Sequence, residues 1–134
     1  MHDAVIVSTA RTPIGKAYRG AFNDTQAQAL AAHAITHAVE RAGIASDEIG
    51  DVVLGAALQQ GSTHMNVARQ AAIRAGLPTS VPGMTVDRQC SSGLMALSII
   101  SAQIRHGEIA TGVAGGVESV SLVQTPKMNI DRLV

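Results

Sequence analysis

Short apolar runs of strand length alternate along the chain with longer segments of helical periodicity. This alternation is typical of βαβ units built around a mainly parallel sheet. The first run is almost continuously apolar, as expected of a strand that is covered on both faces. The pattern predicts four strands, at residues 4–8, 51–54, 84–86 and 111–115.

Three helices are predicted between these strands. The first runs from Thr25 to about Ala42, with Thr25 and Gln28 as a capping box and Gly43 as its stop. The other two cover residues 66–75, closed by Gly76, and residues 94–105, where apolar side chains recur at helical spacing. The connection AALQQGSTHM, residues 56–65, is long and polar enough to be a ligand-facing loop.

These elements predict one α/β domain with a mixed but mainly parallel sheet between helical layers. No internal repeat or low-complexity segment interrupts it. After residue 123 the pattern dissolves into QTPKMNIDRLV, which has a proline and no periodicity. We therefore expect the chain to be an incomplete part of a larger protein.

Composition narrows the class of protein. The chain has 134 residues and 46% hydrophobic content, enough for a buried core, with Tyr18 and Phe22 as its aromatic residues. Ten basic residues balance ten acidic ones, so overall charge favours neither nucleic acid nor an anionic membrane as a partner. No apolar run approaches the ~20 residues that span a bilayer. A single cysteine excludes an internal disulfide, and we expect a cytoplasmic setting.

That cysteine, Cys90, lies between a predicted strand and a predicted helix. A thiol at a helix N-terminus meets unpaired N–H groups and the positive end of the macrodipole, which favour the nucleophilic thiolate. The small residues Ser91, Ser92 and Gly93 would leave room for a bulky acyl group. A buried cysteine that acts as a small hydrophobic residue is the alternative, and the chemistry of these residues alone leaves both open.

Four segments together resemble the thiolase family. TVDRQCSSGLMAL, at 85–97, is similar to the signature around the acyl-accepting cysteine of thiolases. RTPIGK at 11–16, followed by Gly20 and Phe22, resembles their first loop. NVARQAAIRAGLP at 66–78 resembles the helix before the nucleophile, and VAGGVESVS at 113–121 a glycine-rich strand end. The segments occur in family order and spacing along the whole chain.

The resemblance implies the first half of the duplicated thiolase fold. Residues 1–123 would form the N-terminal domain and 124–134 the start of a loop domain, with the C-terminal domain absent. Cys90 would be catalytic, taking an acyl group from acyl-CoA before cleavage of a 3-ketoacyl-CoA or condensation to acetoacetyl-CoA. Coenzyme A thioesters would be substrates, with no covalently bound cofactor, and the protein would be a homo-oligomer, a dimer or tetramer.

Other matching positions have weaker implications. Residues 115–119 match the segment under the active site, but a tight bend with a buried, hydrogen-bonded Glu118 is an equal interpretation. Arg11, Thr12 and Gly15 are interpreted as shaping a loop. Asp87 stands where thiolases commonly have Asn. Its negative charge would disfavour a thiolate at Cys90 unless Arg88 offsets it. Alternatively, the Asp87 side chain caps a turn. Within the segment 115–119, the residues that match the family are Gly115, Gly116, Glu118 and Ser119.

The histidines offer no match to the family's catalytic His, whose GHP motif is absent here, as are the NEAF motif and a second cysteine. His33 and His37 stand at i, i+4 on one helix, a spacing that could bind metal, but no third ligand is suggested. We predict no metal site. His2, His64 and His106 are expected on the surface or in loops, with His64 the one that could face a ligand.

Three functions are compatible with these residues. The first is a thiolase-type acyltransferase with Cys90 as nucleophile, although this chain alone would be inactive. The second is a non-catalytic half-domain that acts as an assembly module. The third, a condensing enzyme of the ketoacyl-synthase type, is disfavoured because RTPIGK and GGVESVS match thiolases better.

Overall fold

The computed structural model describes residues 3–123. The predicted loop-domain start at 124–134 and His2 lie outside them. The described part contains four α-helices, three strands and two short 3₁₀ turns, at Ser46–Glu48 and Gly61–Thr63. In chain order the helices and strands are α1 (Ala27–Ala42), β1 (Asp51–Gly55), α2 (Val67–Arg74), β2 (Gly83–Val86), α3 (Ser92–His106), β3 (Gly112–Gly116) and α4 (Val120–Val123).

The strands form one sheet in the order β2-β1-β3, and both pairings are parallel. Every residue of the central strand β1 is buried. Alternate side chains of β1 point to opposite faces, so Val52 and Leu54 pack with α1 and α2, whereas Val53 packs with Ala96 and Ile100 of α3. Helices cover both faces of a parallel sheet, which confirms the α/β class.

Most predicted boundaries are confirmed within two residues. Gly43 ends α1 in the left-handed conformation, with φ of 66°, and Gly76 follows α2 with φ of 82°. Helix α3 begins at Ser92 rather than at residue 94, so only the N-cap residue Ser91 separates Cys90 from the helix. The short helix α4 was not predicted, because four residues give too little periodicity to recognise.

The strand predicted at residues 4–8 is wrong. Within the described part of the chain this segment pairs with no strand, and Val5, Ile6 and Val7 are 73%, 74% and 66% exposed. A strand exists only where a neighbour supplies its backbone hydrogen bonds, and an apolar run does not by itself specify that neighbour. Directly after this segment, the Thr9 carbonyl accepts a hydrogen bond from Arg41 Nη1 over 2.8 Å.

The predicted capping box at Thr25 and Gln28 is also wrong. Helix α1 begins at Ala27, and Gln26 at its N-cap position forms no side-chain cap. The Ala27 N–H instead donates to Ser62 Oγ over 2.6 Å. The connection at 56–65 therefore contributes a helix cap from inside the structure, and its Gly61–Thr63 turn is buried. This corrects the expectation that the connection as a whole faces a ligand.

Candidate functional site

Cys90 lies in a five-residue turn between the end of β2 at Val86 and the start of α3 at Ser92. Its side chain is exposed and forms no disulfide. Ser91 occupies the N-cap position of α3, so Cys90 directly precedes the helix. The structure thus contradicts the alternative of a buried, inert cysteine and places the thiol at the amino end of a 15-residue helix.

The position of this helix start depends on Gly55, the last residue of β1. A Cβ atom added at Gly55 would overlap the backbone of Ser92 and Gly93. Helix α3 therefore begins directly against the carboxyl end of the central strand, an approach that only a residue without a side chain allows. In parallel α/β sheets this edge is where functional residues gather.

The turn that carries Cys90 has an unusual backbone. Gln89 has φ of 51°, a left-handed conformation that L-residues other than glycine seldom adopt. Asp87 stabilises it, since its Oδ1 accepts a hydrogen bond from the Gln89 N–H over 2.7 Å. The turn cap considered for Asp87 is therefore confirmed, and the effect of its charge on Cys90 stays a prediction. Its neighbour Arg88 extends to Met95, with Nη1 3.3 Å from the sulfur.

Ser92 holds the same turn from the helix side. Its Oγ accepts from the Arg88 N–H over 2.8 Å and donates to the Gln89 carbonyl over 2.6 Å. Ser92 is buried, with 3% of its surface exposed, so it does not provide open space for an acyl group. The exposed Ser91 donates from Oγ to the Arg88 carbonyl over 2.9 Å. Both serines are bound to the backbone of the turn.

The glycine-rich strand end lies beside this turn. Gly116 of β3 pairs in register with Gly55, so the two strand ends are adjacent. Glu118 follows and accepts a hydrogen bond from the Ala57 N–H, which joins the segment after β3 to the segment after β1. The hydrogen bond expected for Glu118 is confirmed, but its expected burial is wrong, because the residue is exposed. Ser119 is buried.

The first-loop motif and the glycine-rich motif meet at a cavity of about 500 Å³. Their two segments, 10–17 and 116–121, line it together with Leu30, Ala31 and Ala34 of α1. Arg11, Thr12 and Gly15 are thus brought together with Gly116, Glu118 and Ser119, whereas Cys90 is not among the lining residues.

Ser121, in the lining segment 116–121, binds the first loop through its hydroxyl. Its Oγ accepts from the Tyr18 N–H and donates to Asn23 Oδ1, each over 2.9 Å. These contacts were not predicted, because Tyr18 and Ser121 are 103 positions apart and no local pattern links their two segments.

The histidines His33, His37 and His64 are not among the residues that line this cavity. The rings of His33 and His37 are 4.5 Å apart, and His37 Nδ1 lies 3.1 Å from Glu40 Oε2. His64 is half-buried with Nδ1 against the carbonyl of Gly61, so this nitrogen faces its own turn. Between residues 3 and 123, no three metal-binding side chains converge. The same part of the chain contains no helix that could span a membrane.

Comparison with known proteins places these features in a family. The family profile described as "Thiolase, N-terminal domain" matches residues 4–132. The chain is 45% identical over 92% of its length to "3-ketoacyl-CoA thiolase 5, peroxisomal" of Arabidopsis thaliana, covering 27% of that protein. It is 41% identical over 96% of its length to "3-ketoacyl-CoA thiolase" of Bacillus subtilis, covering 32%.

"Acetyl-CoA acetyltransferase" of Cupriavidus necator is 45% identical over 90% of the chain, which covers 30% of that protein. The chain thus spans about a third or less of the curated relatives it matches. The matched region includes the parallel sheet, Cys90 before α3 and the glycine-rich strand end. This chain therefore belongs to the thiolase family and carries its N-terminal domain.

Proposed function

We propose that Cys90 is the nucleophile of a thiolase-type acyltransferase and accepts an acyl group from an acyl-CoA thioester. The observation that supports this most directly is an exposed thiol at the amino end of α3, on a turn bound by Asp87 and Ser92. Backbone N–H groups and the helix dipole at such a position stabilise negative charge on sulfur and on an attacked carbonyl.

The acyl transfer begins at the sulfur of Cys90. The thiolate attacks the thioester carbonyl carbon, and a bond forms between that carbon and Sγ as the carbonyl oxygen takes up negative charge. When the intermediate collapses, the bond from carbon to the sulfur of coenzyme A breaks. Coenzyme A leaves as a thiol that carries the proton given up by Cys90, so an acyl-cysteine and free coenzyme A are the products.

The activity of the whole protein extends this proposal. One relative is named an acetyl-CoA acetyltransferase and two are named 3-ketoacyl-CoA thiolases, so thiolytic cleavage and condensation are both proposed for the assembled enzyme. We also propose a homo-oligomer. A reducing compartment such as the cytoplasm is proposed as its location, because a free thiol such as that of Cys90 stays reduced there. One of these relatives is named as peroxisomal, which is the competing location.

The proposal is tested by incubating the purified chain with acetyl-CoA and measuring the intact mass. A single added acetyl group that hydroxylamine removes is expected, and it should be absent in Cys90→Ala. Ser91→Ala is the matched control, because Ser91 is an exposed neighbour and offers a hydroxyl. Acetylation that persists in C90A, or no acetylation of the wild-type chain at substrate saturation, would contradict the proposal. The second result would favour the non-catalytic assembly module.

A further inference from the structure

We infer that Ser92 is a positioning residue, whose hydroxyl holds the turn at Gln89 in its left-handed conformation and thereby presents Cys90 at the start of α3. The inference rests on the proposed role of Cys90 as a nucleophile. Ser92 itself is buried, and its hydroxyl acts through the backbone of the turn.

The hydrogen bonds of Ser92 span the strained residue. Its Oγ is bound to the N–H of Arg88, one residue before Gln89, and to the carbonyl of Gln89 itself. The Ser92 backbone N–H also donates to that carbonyl, over 3.0 Å. Three hydrogen bonds from one residue therefore hold the peptide group before Arg88 and the peptide group after Gln89, on either side of the left-handed residue.

Such support is needed because a left-handed conformation is unfavourable for glutamine and persists only where surrounding contacts impose it. Asp87 supplies one of these contacts, from an exposed side chain. The Ser92 hydroxyl supplies two more from a buried site, where water competes less for its hydrogen bonds. Ser92 is in turn fixed in place by its close packing against Gly55.

Without the hydroxyl, Gln89 can relax to a negative φ. The chain direction then changes immediately before Cys90, and the thiol leaves the region where the N–H groups of α3 favour the thiolate. A glycine at position 89 would remove the need for Ser92, because glycine adopts positive φ without steric cost.

This relationship gives a rescue experiment on the purified chain, in which Cys90 is the sole cysteine and alkylation by iodoacetamide reports on it alone. Ser92→Ala is expected to slow alkylation about fivefold, and the double variant Gln89→Gly with Ser92→Ala to return to within about twofold of wild type. Gln89→Gly alone and the control Ser98→Ala, at an exposed serine further along α3, should stay near the wild-type rate. A packing defect alone would not be rescued by glycine at position 89.

Two results would overturn the inference: S92A that reacts within twofold of wild type, or a slow S92A that Q89G does not accelerate. If S92A does not fold, amide hydrogen exchange of the wild-type chain decides instead. The Arg88 N–H must then exchange at least tenfold more slowly than in a free peptide, and exchange at the free-peptide rate would contradict the inference.

Acetylation of Cys90 by acetyl-CoA is measured separately from its alkylation by iodoacetamide. If wild-type Cys90 alkylates as expected but is never acetylated, the proposed acyl transfer fails while the positioning role of Ser92 stands. If Cys90 is acetylated equally in wild type and in S92A, with equal alkylation rates, the positioning role fails alone.

Discussion

Ser62 Oγ accepts a hydrogen bond from the backbone N–H of Ala27, across 35 positions of sequence. The residue joins the amino end of α1 to the buried turn Gly61–Thr63. A Cβ atom at Gly61 would overlap the Leu122 carbonyl, so the same turn also lies directly against α4. The connection after β1 therefore contacts both the amino end of α1 and α4, the helix that follows the glycine-rich segment.

Ser62→Ala should lower the free energy of unfolding by about 1 to 2 kcal/mol, because the buried Ala27 N–H loses its partner. Urea denaturation followed by circular dichroism measures the change. Thr25→Ala and Gln28→Ala are the matched controls, since neither residue caps the helix, and each should cost about 0.5 kcal/mol or less. If T25A were as destabilising as S62A, the local capping box would be the true cap.

Gly55→Ala should destabilise the protein by about 2 kcal/mol or more, because the added methyl group overlaps the backbone at the start of α3. Thermal unfolding detects the loss. Gly93→Ala is the control: its nearest neighbour, the Gly115 carbonyl oxygen, would be 3.8 Å from the new Cβ, an ordinary contact. In a helix this change should be neutral or stabilising. Equal effects of the two variants would argue against the close approach at Gly55.

Asp87→Asn should keep the turn and make Cys90 more reactive. The amide Oδ1 of asparagine can accept the Gln89 N–H as the carboxylate does, while the negative charge that opposes a thiolate is removed. We expect alkylation about twofold faster at low ionic strength and a smaller difference in 1 M salt, where exposed charges are screened.

Asp87→Ala is the matched variant that removes both the charge and the hydrogen bond. It should be slower than D87N under all salt conditions, because the turn at Gln89 then loses one of its supports. D87A as fast as D87N would show that the hydrogen bond to Gln89 contributes nothing to the reactivity of Cys90.

The 134-residue chain should not turn over acetoacetyl-CoA with coenzyme A, even where Cys90 is acetylated. General acid–base assistance contributes about 10² to 10⁴-fold, and the sequence contains neither the GHP motif nor a second cysteine to supply it. A spectrophotometric assay of thiolytic cleavage checks this, with a full-length relative as positive control. Turnover comparable to that relative would require a base from another residue, such as His64.

Self-association is expected at micromolar concentration. Val5, Ile6 and Val7 are consecutive and exposed, and Leu94 on α3 is 70% exposed. Large contiguous apolar patches are uncommon on monomeric proteins, and exposed apolar side chains such as these favour association. Sedimentation equilibrium should give a mass above 13.8 kDa, and Leu94→Gln should shift the equilibrium toward monomer. A stable wild-type monomer would show that the domain needs no partner for these surfaces.

The sequence alone determined the elements whose signals are local. DVVL is apolar enough to predict a strand, and Gly43 and Gly76 predict helix ends, because left-handed caps depend on the residue itself. The place of Cys90 between a strand and a helix followed from the same local reasoning, and the motifs around it indicated the family.

Tertiary structure decided whatever depends on partners distant in sequence. Residues 4–8 have the composition of a strand, yet no pairing forms within the described part of the chain. The cap of α1 comes from Ser62, although the sequence predicted a local cap. Glu118 is exposed yet bound to the Ala57 N–H, although a buried carboxylate was one of its two interpretations. A side chain's chemistry limits what it can bind, but only the folded chain decides which backbone group comes within reach.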